Sequence, residues 1–215
     1  MGAVEIPTAG VRLAADVTAP ADAVGLVLFA HGSGSSRHSP RNQAVAAVLT
    51  GHGLATVLMD LLTEAEERSD AADRRARFAV DMLADRLVGA VDWLGNHADT
   101  QDLPVGLFGA STGAAAALIA AAARPDAVRA VVSRGGRPDL AGPALPQVRA
   151  ATLLIVGERD PEVLDLNRRA LAALTAPAES RTIPGATHLF EEPGTLAEVA
   201  RLAAAWFVRH LAENR

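Results

Sequence analysis

The 215-residue sequence predicts an α/β fold built on a mostly parallel, doubly wound sheet with helices on both faces. Two observations lead to this prediction. Continuously apolar runs such as Val24–Ala30 are typical of strands that are buried on both faces. These runs alternate along the chain with longer segments of helical hydrophobic spacing. No linker, repeat or low-complexity tail divides the chain, so residues 1–215 are expected to form one domain.

The strands and helices follow from this alternation, taken in chain order. An N-terminal hairpin around Ala9-Gly10 is predicted, followed by six further strands: Val24–Ala30, Leu54–Leu58, Pro104–Phe108, Val128–Val132, Thr152–Val156 and Glu179–Ile183. Helices are predicted before Gly51, from Val80 to about Gly95, over Ser111–Ala123, from Pro161 to about Leu174, and over Thr195–Leu211. Residues 61–77 are densely charged and are interpreted as a solvated loop or helix face.

Composition excludes several classes of function. The net charge of −5 argues against a nucleic-acid surface. Because cysteine is absent, the chain has no disulfide framework and no thiolate metal site, and we predict no metal. Residues 1–6 lack the basic and apolar regions of a signal peptide, and no apolar run is long enough to span a membrane. A cytoplasmic protein without a membrane partner is therefore expected.

A Gly-x-Ser-x-Gly pattern stands between a predicted strand and a predicted helix, at Gly109, Ser111 and Gly113. Glycines at both ends allow a tight turn, and the serine between them can adopt a strained backbone conformation that exposes its hydroxyl. The helix that follows directs free N–H groups and a positive dipole end toward any anion formed there. We interpret Ser111 as a candidate nucleophile.

A serine nucleophile needs a general base, and the base needs an orienting carboxylate. In open α/β sheets, sites form outside the carboxyl ends of the strands. His188 follows the last predicted strand and Asp160 follows the strand before it, so the two are predicted to complete a triad with Ser111. As structural alternatives, Asp160 would only cap the helix that starts at Pro161, and His188 would only be a hydrogen-bonded loop histidine.

Polar groups at other strand ends suggest how an oxyanion and a substrate would be bound. The backbone N–H of Thr112 and that of Ser33 are the predicted oxyanion donors, with Gly34 a close rival of Ser33. Arg134 and Arg137 flank Gly135-Gly136 after the next strand. They are candidates for binding an anionic substrate group, and a solvated arginine pair is the structural alternative.

Four segments together give the chain a resemblance to a known family: His31-Gly32-Ser33-Gly34-Ser35-Ser36-Arg37, Gly109-Ala110-Ser111-Thr112-Gly113, Gly157-Glu158-Arg159-Asp160-Pro161 and Gly185-Ala186-Thr187-His188-Leu189-Phe190. With its triad in the order serine, aspartate, histidine, the sequence resembles a small α/β hydrolase of the dienelactone-hydrolase-like group. The resemblance covers essentially the whole length. It implies an eight-stranded, mostly parallel sheet, no cofactor and little or no lid. Dienelactone hydrolase itself uses a cysteine nucleophile, whereas this chain has Ser111, so the group name does not identify the substrate.

The predicted function is a serine hydrolase that cleaves a small ester, thioester or lactone through an acyl-enzyme on Ser111. The expected partner is a small-molecule acyl substrate, and a homodimer is left open. Transfer of the acyl group to an acceptor other than water is also left open. One alternative is a non-catalytic binding protein with the same fold. Another is a nucleotide-binding Rossmann-type protein, with Gly32 and Gly34 as the phosphate loop and Asp60 as the ribose-binding acid.

Overall fold

An eight-stranded sheet forms the centre of the protein in the computed structural model, which describes residues 2–73 and 75–212, without the side chains of residues 71–73 and 77. The strand order is β1-β2-β4-β3-β5-β6-β7-β8. Strands β1 and β2 form an antiparallel hairpin, and β2 is antiparallel to β4. All the pairings from β4 to β8 are parallel. The predicted α/β fold with a mostly parallel eight-stranded sheet is confirmed.

The elements alternate in the predicted manner. The strands are β1 Ala3–Thr8, β2 Val11–Thr18, β3 Gly25–Ala30, β4 Leu54–Met59, β5 Val105–Ala110, β6 Val128–Arg134, β7 Ala151–Gly157 and β8 Ala178–Ile183. The helices are α1 Pro40–Gly51, α2 Glu64–Asp73, α3 Val80–Leu94, α4 Thr112–Ala123, α5 Pro161–Ala173 and α6 Thr195–Ala212. Short 3₁₀ segments cover Ala76–Phe78 and Pro138–Gln147.

Two apolar cores lie on opposite faces of the sheet. Helices α3, α4 and α5 contribute to one core, and α1 and α6 contribute to the other. Phe29 of β3 and Phe108 of β5 pack together with ring centroids 4.8 Å apart. Because β3 and β5 are neighbours, the loop after β3 and the turn after β5 emerge side by side from a rigid base. These are the two segments from which the candidate site is built.

The charged segment 61–77 is mostly a helix rather than a loop. It begins with the buried residues Leu61 and Leu62 and continues into α2. Glu66 pairs with the buried Arg86 of α3 at 2.5 Å. Partial burial alone would raise the pKa of Glu66, but hydrogen bonds from Arg86 and Thr63 outweigh it, so the pKa of this carboxyl lies below its ordinary value. The predicted solvent exposure of Arg74 and of the Asp73 and Arg77 side chains falls outside the described part of the chain.

Within residues 2–73 and 75–212, no helix is long and apolar enough to cross a membrane. In the same part of the chain, no cluster of three or more histidine, aspartate or glutamate side chains could hold a metal ion.

Candidate active site

Ser111 stands at the turn between β5 and α4 with backbone angles φ 51° and ψ −122°. A non-glycine residue with positive φ is strained, and such strain is retained where the surrounding structure enforces it. The glycines on either side are required by space. A Cβ at Gly109 would lie 2.4 Å from the Cα of Ala114, and one at Gly113 would lie 2.3 Å from the carbonyl oxygen of Ala30. The packing of α4 against β3 and β5 therefore fixes the serine at the top of the sheet.

Replacing Gly113 with alanine is expected to lower the free energy of unfolding by about 1–3 kcal/mol, because the added methyl group overlaps backbone atoms that cannot rotate away. The same change should also displace the loop beside Ser111, since the carbonyl of His31, 2.4 Å from the added Cβ, begins that loop. Gly51→Ala is the matched control, as its Cβ meets nothing within 4 Å. Denaturant unfolding of both variants measures the difference, and equal stability would contradict this packing.

The carboxylate of Asp160 binds the imidazole of His188, with Asp160 Oδ2 2.6 Å from His188 Nδ1. Asp160 occupies the N-cap position of α5, but its side chain makes no capping hydrogen bond to the helix. The carboxylate is directed at the histidine instead, as an orienting acid requires. The Asp160 side chain is 15% exposed and that of His188 is 40% exposed. The acid is therefore shielded while the imidazole reaches the open side of the site.

Backbone hydrogen bonds join the two loops that carry this pair. The N–H of Arg159 donates to the carbonyl of Ala186 at 2.9 Å, and the N–H of Gly185 donates to the carboxylate of Glu158 at 2.7 Å. Gly157 allows this close approach, because a Cβ there would lie 2.4 Å from the Ala186 carbonyl. The distance between the acid and the histidine is thus set by the backbone as well as by the side chains.

The loop after β3 lies against the serine turn. The backbone N–H of Ser33 donates to the Thr112 hydroxyl at 3.1 Å, and a Cβ at Gly32 would lie 3.1 Å from the Cβ of Ser111. Thr112 is the first residue of α4, where the helix provides no acceptor for its N–H. The two backbone donors predicted to bind an oxyanion therefore belong to segments that are held together by the Thr112 hydroxyl.

Buried His31 supports the base of this loop in a defined tautomer. Its Nε2 accepts from the N–H of Leu61 at 3.0 Å, so Nδ1 carries the proton and donates to the carbonyl of Gly32 at 2.9 Å. Burial lowers the pKa of His31 below 6.5, although the bond to Gly32 and the charge of Asp60 oppose the shift. His31 is neutral in the folded protein, and its hydrogen bonds hold the loop in place rather than transfer a proton.

This lowered pKa predicts how stability depends on pH. The unfolded chain binds a proton at His31 more readily than the folded protein does, so stability falls as pH drops below the ordinary value of 6.5 and toward the folded-state pKa. His31→Gln should give a flatter dependence of Tm on pH in this range, because glutamine keeps an acceptor but does not titrate. His52→Gln, at an exposed position, controls for the substitution itself. Parallel curves of Tm against pH for wild type and His31→Gln would contradict the lowered pKa of His31.

Two neighbouring cavities open at this end of the sheet. A cleft of about 250 Å³ is bordered by Ser111, His188, Arg134 and the loop after β3. A larger cavity of about 400 Å³ is lined by the same loop and by the apolar side chains of Leu61, Leu62 and Leu83. Gly32 and Ser33 border both, so the two cavities meet at the candidate oxyanion loop.

Comparison with known proteins identifies the family. The model of a family described as "Alpha/beta hydrolase domain" matches residues 23–198. The chain belongs to the α/β-hydrolase family. A crystal structure titled as dienelactone hydrolase from Anabaena variabilis is 57% identical, with a TM-score of 0.96 over 97% of this chain and 96% of that chain. Est1E from Butyrivibrio proteoclasticus shares the fold at 17% identity, with a TM-score of 0.81 over 99% of this chain and all of the other.

Two Mycobacterium tuberculosis proteins, from strains CDC 1551 / Oshkosh and ATCC 25618 / H37Rv, are also 57% identical to this α/β hydrolase over 208 residues. Each is named "Putative phosphoribosyl transferase". The match covers 97% of this chain but only 46% of each relative, so the chain spans about half the length of these relatives. The family model and the Anabaena structure support a hydrolase in the dienelactone-hydrolase-like group.

The structure separates the two arginines that were predicted together. Arg134 ends β6, is 7% exposed and borders the cleft beside Ser111. Arg137 forms two hydrogen bonds to the carboxylate of Asp139, at 2.9 and 2.8 Å, and is not among the residues that line the cleft. This pairing raises the pKa of Arg137. Gly34, with φ +71°, lines the larger cavity rather than the cleft.

Sequence analysis of this α/β hydrolase missed the role of Arg37 and Asp60. The backbone N–H of Arg37 donates to Asp60 Oδ1 at 2.7 Å, and its guanidinium pairs with Asp60 Oδ2 and with Asp16. Asp60 therefore anchors the far end of the loop after β3, and the ribose-binding role considered for it finds no support. Asp60 could have been noticed in the sequence as a polar residue directly after β4. Only the sheet order shows that β4 lies beside β3, and therefore that Asp60 lies near the loop after β3.

Proposed function

We propose that this α/β hydrolase cleaves a small carboxylic ester, thioester or lactone through an acyl-enzyme on Ser111. The single observation that best supports the proposal is the Asp160–His188 pair, 2.6 Å apart, whose imidazole lines one cleft together with the strained Ser111. The name of the Anabaena relative, dienelactone hydrolase, agrees with a hydrolase. The 57% identity to the Anabaena protein extends this agreement beyond the fold.

The proposed reaction begins when His188 Nε2 takes the proton of the Ser111 hydroxyl as the oxygen attacks the scissile carbonyl. Asp160, bound to Nδ1, keeps the imidazole in the reactive tautomer and stabilises the imidazolium that forms. The backbone N–H groups of Thr112 and Ser33 bind the developing oxyanion. For Ser33 this requires that its N–H share or exchange its bond to the Thr112 hydroxyl.

Collapse of the tetrahedral intermediate breaks the bond to the leaving group, which receives the proton from His188. Water then attacks the acyl-enzyme, with His188 again acting as base. This step releases the carboxylic acid and regenerates the Ser111 hydroxyl. The cleft and its neighbouring cavity, about 250 and 400 Å³, suit small acyl and leaving groups. Each proposed step uses residues of this chain and water.

A panel of 4-nitrophenyl esters and thioesters of increasing acyl length tests the proposal. We expect turnover of short acyl chains and a decline in kcat/KM as the chain outgrows the cavities. Absence of hydrolysis across the panel, in protein that is folded by circular dichroism, would favour the alternative of a non-catalytic binding protein.

A further inference from the structure

The geometry points to an anion-binding subsite in the candidate catalytic cleft: we propose that Arg134, with Arg41 beside it, binds a carboxylate or phosphate group carried by the substrate. The inference rests on the proposed ester hydrolysis at Ser111 and narrows its substrate class to anionic acyl compounds. It depends on the burial of Arg134, on its position beside the nucleophile and on the charges that line the cleft.

Arg134 is buried without an acidic partner among the described residues. It is 7% exposed, and its Nη2 donates to the neutral amide oxygen of Asn42 at 3.3 Å. Its Nε has no hydrogen-bond partner within the described part of the chain. A buried guanidinium normally has a paired carboxylate, since an uncompensated buried charge is costly. Burial and the nearby Arg41 lower the pKa of Arg134 to about 10, so it remains charged at neutral pH.

The backbone of Arg134 adjoins the candidate nucleophile, and the residue lines the same cleft. Arg134 is paired with Ala110 in the β5–β6 register, and the N–H of Ser111 donates to the Arg134 carbonyl at 3.3 Å. The side chain borders the same cleft as Ser111 and His188. An anion bound between these arginines would share the cleft with Ser111, so we assign it to the substrate molecule.

Arg41 adds a second positive charge at the same cleft. Its Nη1 pairs with Glu191 at 3.1 Å, but Glu191 is 63% exposed, and the buried Nε of Arg41 has no hydrogen-bond partner among the described residues. No acidic residue lies in the first turn of α1, where Arg41 stands. Among the described residues that line the cleft, the charged ones are both arginines, and none is aspartate or glutamate.

The chemistry of the guanidinium defines the ligand. Its planar fork of N–H donors matches the oxygens of a carboxylate or phosphate, and an anion between Arg134 and Arg41 would relieve their mutual repulsion. Arg137 offers no such site, because Asp139 already occupies its donors. A small ester with a free carboxylate or a phosphate is therefore the substrate class that this cleft recognises.

Binding to Ser111→Ala protein tests the subsite without requiring catalysis. Isothermal titration calorimetry compares monomethyl succinate with the neutral dimethyl succinate, and methyl 3-phosphonopropanoate distinguishes a phosphate preference from a carboxylate preference. We expect at least one of the two anionic compounds to bind about tenfold or more tightly than the neutral diester. Adding Arg134→Met should abolish this difference, and adding Arg41→Met should reduce it. Arg12→Met, on the N-terminal hairpin, should leave it unchanged.

The outcomes separate this inference from the proposed function. Equal affinity of the anionic and neutral compounds for the Ser111→Ala protein would overturn the subsite, even if wild type hydrolyses esters. A preference for the anion that survives in both the Arg134→Met and the Arg41→Met protein would overturn it as well. If the Arg134→Met protein does not fold, the affinities of the Arg41→Met protein alone decide whether the subsite exists. Arg41 is partly exposed, so its replacement should leave the fold intact. Anion binding that depends on the arginines, in a protein without ester hydrolysis, would support the subsite and contradict the proposed reaction.

Discussion

Replacing Ser111 with alanine is expected to lower kcat for short acyl esters by about 10⁴-fold or more, with little change in KM. Loss of the nucleophile removes the acyl-enzyme route, and what remains comes from binding and the oxyanion donors alone. The variant should fold, because alanine differs from serine only by the hydroxyl. Steady-state kinetics measure the effect.

The control for this substitution is Ser69→Ala, which removes an exposed hydroxyl that donates to the Ala65 carbonyl within α2 and lines neither the cleft nor its neighbouring cavity. Its kinetics should match those of wild type. A Ser111→Ala protein that retains even a tenth of wild-type kcat would show that hydrolysis does not pass through this serine.

Replacing Asp160 with asparagine is expected to reduce kcat by about 10³-fold or more, because the amide would hold His188 in the wrong tautomer and could not stabilise the imidazolium. The substitution also distinguishes the two interpretations of Asp160. Asparagine is as good an N-cap as aspartate, so a purely structural Asp160 would tolerate the change. The structure favours the first interpretation, because the carboxylate binds His188 and makes no capping bond.

Glu158→Gln is the matched control for Asp160→Asn. Glu158 lies two residues earlier in the same loop, and glutamine retains an oxygen that can accept from the N–H of Gly185. We expect its kcat to stay within a few fold of wild type. Kinetics and thermal unfolding of both variants give the comparison. Similar losses of activity in the two would mean that activity depends on the conformation of the loop rather than on the carboxylate of Asp160.

The sequence was sufficient to predict the sheet and to select three residues as a candidate triad. Apolar runs bounded by glycine and proline have few alternatives to buried parallel strands, and a site at their carboxyl ends follows from that architecture. The Gly109 and Gly113 spacing was informative because both positions exclude a Cβ in the folded protein. The predicted strand bounds differ from those observed by only a few residues.

The sequence could not show which polar groups pair across the sheet. Arg134 and Arg137 look alike along the chain, yet one is buried beside Ser111 and the other binds Asp139. The difference depends on where β6 ends and on the direction in which the chain leaves it. The bond from Ser33 to the Thr112 hydroxyl likewise joins residues 79 positions apart, a contact that exists only because β3 and β5 are adjacent.

Covalent labelling with a fluorophosphonate tests the central claim most directly, since only an activated serine reacts with this probe at an appreciable rate. Intact mass spectrometry and peptide mapping should find one adduct per chain, on Ser111, in wild type. Labelling should be much slower in Asp160→Asn and absent in Ser111→Ala. A folded wild-type protein that stays unmodified, or an adduct on any other residue, would contradict the assignment of Ser111 as the nucleophile.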